Sequence, residues 1–330
     1  MNFFTKVDLP TTDFKIDYNS RLAFFGSCFA DNISAQFTAR KFNVLANPFG
    51  TVYNPVSLES QIKTIADGKV FGEDDVFQDT RCDNLWHCWD AHSSLSASTR
   101  EECVDKLNAA TAQARDFLRK TDVVFITLGS AFIYYLKASG KPVSNCHRQD
   151  PGLFERRLIS VDEAARAICE IVENLRKIAA TAENSNGREP RIVFTVSPLR
   201  HMSDGAHNNT LSKATLQLAV DKVVKCGTEI AAATYFPSYE IMMDELRDYR
   251  FYSDDMIHLS KAAEEYIFER MVETYCNDTT RENMAKVEKF LKMARHRIQD
   301  ESSPATQEFK KKLAAQAAEL EKQIPGLSLR

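Results

Sequence analysis

Two short stretches hold side chains suited to acyl-transfer chemistry. In "AFFGSCFADN" an apolar run stops at Gly26, and Ser27 and Cys28 follow, two adjacent nucleophile-capable residues ahead of a helix-forming segment. In "DDMIHLS" Asp255 stands three residues before His258. Within one tight turn that carboxylate can accept the imidazole Nδ1 proton, which leaves Nε2 to take a proton from a nucleophile. Asp204 and His207 repeat the spacing, but inside a Gly/Asn-rich loop. The 255–258 pair is therefore the better candidate, because it lies beyond the last strand pattern, where it can fold back toward the first.

Other polar groups fall after apolar runs. "NPFGTVYNP" supplies Asn47 and Gly50, "NCHR" supplies Asn145, His147 and Arg148, and "SPLRH" supplies Arg200 and His201. Arg200-His201 suit an anionic group or the lining of a cleft, and His147 and Arg148 are similar; each also serves as a cap or surface ion pair. "CDNLWHCWDAH" offers Cys82, His87, Cys88 and His92, but without the Cys-x2–4-Cys knuckle of zinc sites, so no metal is expected. Trp86 and Trp89, the two tryptophans, stand in the same stretch and suit either a core anchor or stacking on a sugar-like ligand.

The elements that must position these groups alternate. Candidate strands are 21–25, 42–45, 123–128, 192–196 and 230–235. Candidate helices are 31–40, 56–66, 99–120, 161–180, 209–226 and 262–275. "RLAFF", "VVFITL" and "IVFTV" are near-continuous apolar runs, the pattern of strands covered on both faces. Strands alternating with long helices predict a parallel sheet of about five strands, with ligands gathering at the carboxyl ends of the strands. "NSNGREP" is the expected turn before the fourth strand. Past residue 280 two charged amphipathic segments separated by "SSP" form a helical extension (280–330) on a 1–279 domain. Packing, dimerisation and a lid are all open to it.

Composition narrows the classes. A chain of 330 residues with 44% hydrophobic and 27% charged residues can build a full globular core. A net charge of −4 with scattered basic residues gives no basis for nucleic-acid binding. No apolar window approaches a membrane span, "MNFFTKVDLPTTDF" lacks the features of a secretory leader, and the eight cysteines show no repeated framework. The expectation is a cytoplasmic protein with reduced thiols.

Taken in order, "GSCFA", "NPFGTVYNP", "NCHR", "SPLRH" and "DMIH" closely resemble the GSCFA family, from about Arg21 to Ala262. The resemblance implies a three-layer α/β/α sandwich, flavodoxin-like, of the SGNH/GDSL hydrolase type, with no cofactor. It implies an acyl-ester hydrolase, on a small molecule or an acylated carbohydrate, or an acyltransferase; a binding module that has lost catalysis is the alternative. The hydrolase motif Phe-Gly-Asp-Ser-Ile-Thr-Asp-Gly, laid on residues 25–32, puts Cys28 at the nucleophile position and Ser27 one step before it. A shift of one residue would present Ser27 instead. A thiolate at Cys28 would gain from the helix N-terminus and could pair with His258. The resemblance further implies an oxyanion N–H from Gly50 and a matching turn glycine at Gly26; Asn47, Asn145, His147, Arg200 and His201 are the further candidates for oxyanion or substrate contacts. Ala131 and Phe132 replace the customary Asn and Asp of the third motif, with Asn145 as the substitute donor.

Overall fold

A computed structural model describes residues 5–181, 189–225, 233–295 and 303–329. β1 (Arg21–Gly26) leads into α1 (Cys28–Ala39), β2 (Asn43–Ala46) and α2 (Pro55–Asp67). The short antiparallel pair β3 (Phe77–Gln78) and β4 (Trp86–His87) precedes α3 (Arg100–Leu118) and β5 (Val123–Leu128). Then come β6 (Phe132–Leu136), β7 (Lys141–Val143), β8 (Phe154–Leu158) and α4 (Val161–Ala180). β9 (Arg191–Val196), α5 (Ala206–Lys225), β10 (Ala233–Tyr235), the single turn α6 (Ser238–Glu240) and α7 (Lys261–Tyr275) follow. α8 (Asp278–Ala294) and α9 (Pro304–Gln323) close the chain.

Five strands form one parallel sheet in the order β10-β9-β5-β1-β2. Numbered within the sheet this is 2-1-3-4-5, the flavodoxin-like doubly wound order, with its switch point between β1 and β5. The continuous apolar runs have a direct explanation. Successive side chains alternate faces, so Ala23, Phe25, Val124, Ile126, Ile192 and Phe194 enter a core with α2, α3, α4 and α5. Leu22, Phe24, Val123, Phe125 and Val193 enter the opposite core with α1 and α7. Both faces are covered, and the three-layer α/β/α sandwich follows.

Local differences from the sequence expectation have physical causes. α1 starts at Cys28 rather than Asp31, because Phe29, Ile33 and Phe37 form one buried stripe that carries the helix back to Ser27 as N-cap. β2 begins one residue late, since Phe42 turns inward edge-on to Phe37. Residues 130–160, expected as a connection, fold into a three-stranded antiparallel sheet, β7-β6-β8. Residues 230–232 of the fifth expected strand, Cys226 of the fifth helix and most of the "NSNGREP" turn lie outside the described residues.

The C-terminal segment is docked on the α1/α7 core. α8 buries Met284, Val287 and Phe290, while α9 contributes Leu320. Ile324 and Leu327 insert beyond it. Gly326 is required there: at φ +86° its Cα lies so close to Tyr18 that a Cβ would sit 2.5 Å from the Tyr18 carbonyl oxygen.

Candidate active site

The carboxyl ends of β1, β5 and β9 open into a cavity of 650 Å³ whose lining includes Ser27, Cys28, Gly129, Ser130, Ser197 and His258. Its outer wall is the antiparallel sheet, through Phe132, Tyr134, Val143 and Phe154. Among the described residues nothing from α8 or α9 lines it.

The turn after β1 is built tightly. Gly26 has φ +120°, and a Cβ there would lie 2.0 Å from the Thr127 carbonyl oxygen, so no other residue fits. The Ser27 N–H donates to that carbonyl (3.1 Å), and Gly26 N–H donates to Asn47 Oδ1 (2.8 Å). Asn47 Nδ2 then donates to Asp31 Oδ1 (2.7 Å), whose other oxygen accepts from Thr51 Oγ1 (2.9 Å). Asn47 thus clasps the turn to α1 from behind the cavity. Gly26, with its N–H used in this clasp, acts in close approach rather than as an oxyanion donor.

Ser27 and Cys28 are not equivalent. Ser27 is 1% exposed, and its hydroxyl is buried without a hydrogen-bond partner; it caps α1 by backbone position alone. Cys28 is half-buried in the cavity wall, with the N–H groups of Cys28 and Phe29 facing its sulfur. Burial pushes the Cys28 thiol above its ordinary range and Asp31 adds to this, while the two N–H groups and the Lys213 ammonium oppose it. The balance favours a neutral thiol over the ion pair expected from the helix terminus.

Asp255 and His258 form the expected pair. His258 Nδ1 donates to Asp255 Oδ2 at 2.6 Å, and the other carboxylate oxygen accepts the Ile257 and His258 N–H groups at 2.9 Å. These bonds hold Asp255 down to about 2, the His258 imidazole contributing most. His258 is 56% exposed along its side chain and lines the cavity; among the described residues its Nε2 bonds neither Ser27 nor Cys28. The rival pair does not form: Asp204 binds Arg156, and His207 is exposed.

The remaining expectations divide. Asn145 lines the cavity; its side-chain oxygen accepts the His147 N–H (2.7 Å), which leaves the amide nitrogen for a ligand. Arg200 and His201 line it as well. Gly50 does not: its N–H donates to the Asn47 carbonyl (2.7 Å), and it lies against His92. His147 is also removed, 4% exposed among His87, Phe77 and Trp89, with Nε2 donating to the Cys88 carbonyl (2.8 Å) and Nδ1 receiving Ser93. Burial lowers it to about 4, so it is a neutral loop anchor. Trp89 stacks on Phe77 and props Phe154 from behind, and Trp86 lies under Arg100; neither tryptophan lines the cavity. Of the zinc-like residues, His87 pairs with Asp83 and Ser96 while Cys88 is buried. Cys82, His87, Cys88 and His92 do not gather among the described residues.

One site residue escaped the sequence reading. Lys213, on α5, is 2% exposed and donates from Nζ to the carbonyls of Gly129 (2.6 Å) and Ser197 (2.7 Å), bridging the ends of β5 and β9 beneath Cys28. Burial lowers its amine to about 7, Arg200 adding to the shift and Cys28 opposing it. The available signal was its register: Lys213 falls in the apolar stripe with Leu216, Val220 and Val223.

Comparison with known protein families matches residues 21–271 to the GSCFA family. A search of curated proteins finds no match.

Proposed function

The chain belongs to the GSCFA family, and on that premise we propose that it is an acyl-ester hydrolase of the SGNH/GDSL type with Cys28 as nucleophile, His258 as general base and Asp255 as its orienting partner. The observation that carries this reading is the 2.6 Å Asp255–His258 bond on a turn that shares one cavity with Cys28. The 2-1-3-4-5 strand order supports the superfamily placement.

With a neutral thiol at rest, His258 Nε2 removes the Cys28 proton as the sulfur attacks the ester carbonyl, and Asp255 holds the resulting imidazolium. The oxyanion receives the N–H groups at the start of α1 and the Asn145 amide. Collapse expels the alkoxide, which takes the proton from His258 and leaves a thioester. Water, deprotonated by His258, then releases the acid and regenerates the thiol; an alcohol in its place makes the same reaction an acyl transfer. Small acyl esters, including acylated carbohydrates, suit the cavity size. Unpaired thiols at Cys28, Cys82, Cys88, Cys103, Cys146 and Cys276, together with the lack of any membrane-crossing helix among the described residues, support a cytoplasmic location. The exposed face of α9 would serve a homo-oligomer.

Hydrolysis of p-nitrophenyl acetate tests the assignment. Cys28→Ala and His258→Ala should each lose about 10²–10⁴-fold in kcat/KM, while Ser27→Ala keeps its activity. Full activity in His258→Ala refutes the triad, and loss in Ser27→Ala with retention in Cys28→Ala moves the nucleophile. A second reading, a non-catalytic binding module, is favoured by the open His258–Cys28 geometry. It is selected if the wild type binds small ligands in the cavity but turns over no ester.

A further inference from the structure

The charge of the cavity is one-sided. Arg156, Arg200, Lys213, His201 and His258 line it, and among the described residues no aspartate or glutamate does. This occurs in a chain whose net charge is −4, so the asymmetry is local. Four of these groups already have partners: His258 bonds Asp255, and His201 bonds Ser203 and lies 3.8 Å from Asp204. Arg156 pairs with Asp204 and stacks over Phe132, and Lys213 is bound by two carbonyls.

Arg200 differs. It is half-buried just after β9, behind the buried Leu199. Among the described residues no carboxylate lies within 4.0 Å of its guanidinium, and its hydrogen bond is a long one to the Met243 sulfur (3.9 Å), a weak acceptor. A half-desolvated guanidinium with five donors ordinarily finds a carboxylate or phosphate. Arg200 also borders a second cavity of 570 Å³, but that one is lined by Asp248 and Asp255. An anion therefore gains most on the side whose described lining carries no carboxylate, in the cavity that holds Cys28 and His258.

We propose that Arg200 is an anion-recognition residue and that the substrate is an ester bearing a carboxylate or phosphate, its charged group on Arg200 and its apolar part against Phe132, Tyr134 and Phe154. This rests on the hydrolase reading for the word ester, while the anion site stands on its own geometry. His201 lies next to Arg200 at the same rim, its Nε2 bonded to Ser203 (3.0 Å), and completes the polar edge.

The experiment has two arms. In the first, succinate and phenyl phosphate are titrated calorimetrically into the wild-type protein, Arg200→Gln and Arg200→Lys, with melting curves confirming that each variant is folded. Arg200→Gln should weaken binding of the preferred anion about 10- to 100-fold, Arg200→Lys should recover part of it, and the anion that binds separates carboxylate from phosphate. In the second, kcat/KM is measured for p-nitrophenyl acetate and mono-p-nitrophenyl succinate. The wild type should favour the charged ester if a carboxylate is the preferred anion, and in Arg200→Gln the ratio should collapse. Absence of anion binding by the wild type, or equal binding by Arg200→Gln, overturns the proposal. Arg200-dependent binding with no turnover of either ester refutes the hydrolase reading and leaves the anion site in place.

Discussion

Replacing Lys213 with methionine gives a measurement whose sign and size follow from the geometry. The wild-type amine is fully buried and donates to two carbonyl oxygens, the number of N–H groups a neutral amine retains. Burial lowers it from 10.5 to about 7 in the folded protein. Below pH 7 the amine is charged in both folded and unfolded chains, and its desolvation weighs against folding in full. As the pH rises from 7 toward 10.5 the folded chain gives up the proton while the unfolded chain keeps it. The unfolded state then binds more protons, and stability rises with pH. The slope is about 1.4 kcal/mol per pH unit through the middle of that window, about 4 to 5 kcal/mol across it. Lys213→Met lacks this contribution; its orphaned carbonyls at Gly129 and Ser197 cost about 1–3 kcal/mol each, independently of pH. Urea unfolding of both proteins between pH 6 and 10 reads the difference directly, because other groups titrate alike in the two. The wild type should gain on Lys213→Met steadily above pH 7. Parallel stability curves from pH 7 to 10 would refute the reasoning, since they would mean that the buried amine stays charged.

Iodoacetamide should alkylate Cys28 at pH 8 more slowly than a free thiol such as glutathione, because burial and then Asp31 raise it. Asp31→Asn should speed the reaction, as followed by intact-mass spectrometry with Cys28→Ala identifying the site; an unaltered rate contradicts the assigned role of the Asp31 charge. Gly26→Ala should destabilise the protein by more than about 2 kcal/mol, since φ is +120° and the new methyl would meet the Thr127 carbonyl; a melting temperature equal to that of the wild type would disprove the close approach.

Much of this protein is determined within single stretches of its chain. The apolar runs at 21–25, 123–128 and 192–196 require cover on both faces whatever surrounds them, so the sheet and its layers are legible directly. The Asp255–His258 pair is equally local, a carboxylate and an imidazole joined within one turn. What closes over several elements was not legible. The antiparallel wall around Phe132 and Phe154 depends on pairing across residues 132–158, and its strands are short and half-exposed. Gly50 and His147 have the right residue types after the right strands, yet a backbone bond to Asn47 and burial beside His87 take them out of the cavity. The difference between Ser27 and Cys28 is one of burial, decided by how Gly26 lets β1 approach Thr127 and thereby sets the turn. Lys213 reads in sequence as one more helical lysine. Only the packing of α5 against β5 and β9 makes it a buried amine beside Cys28, because desolvation and its two carbonyl partners exist only once those three elements meet.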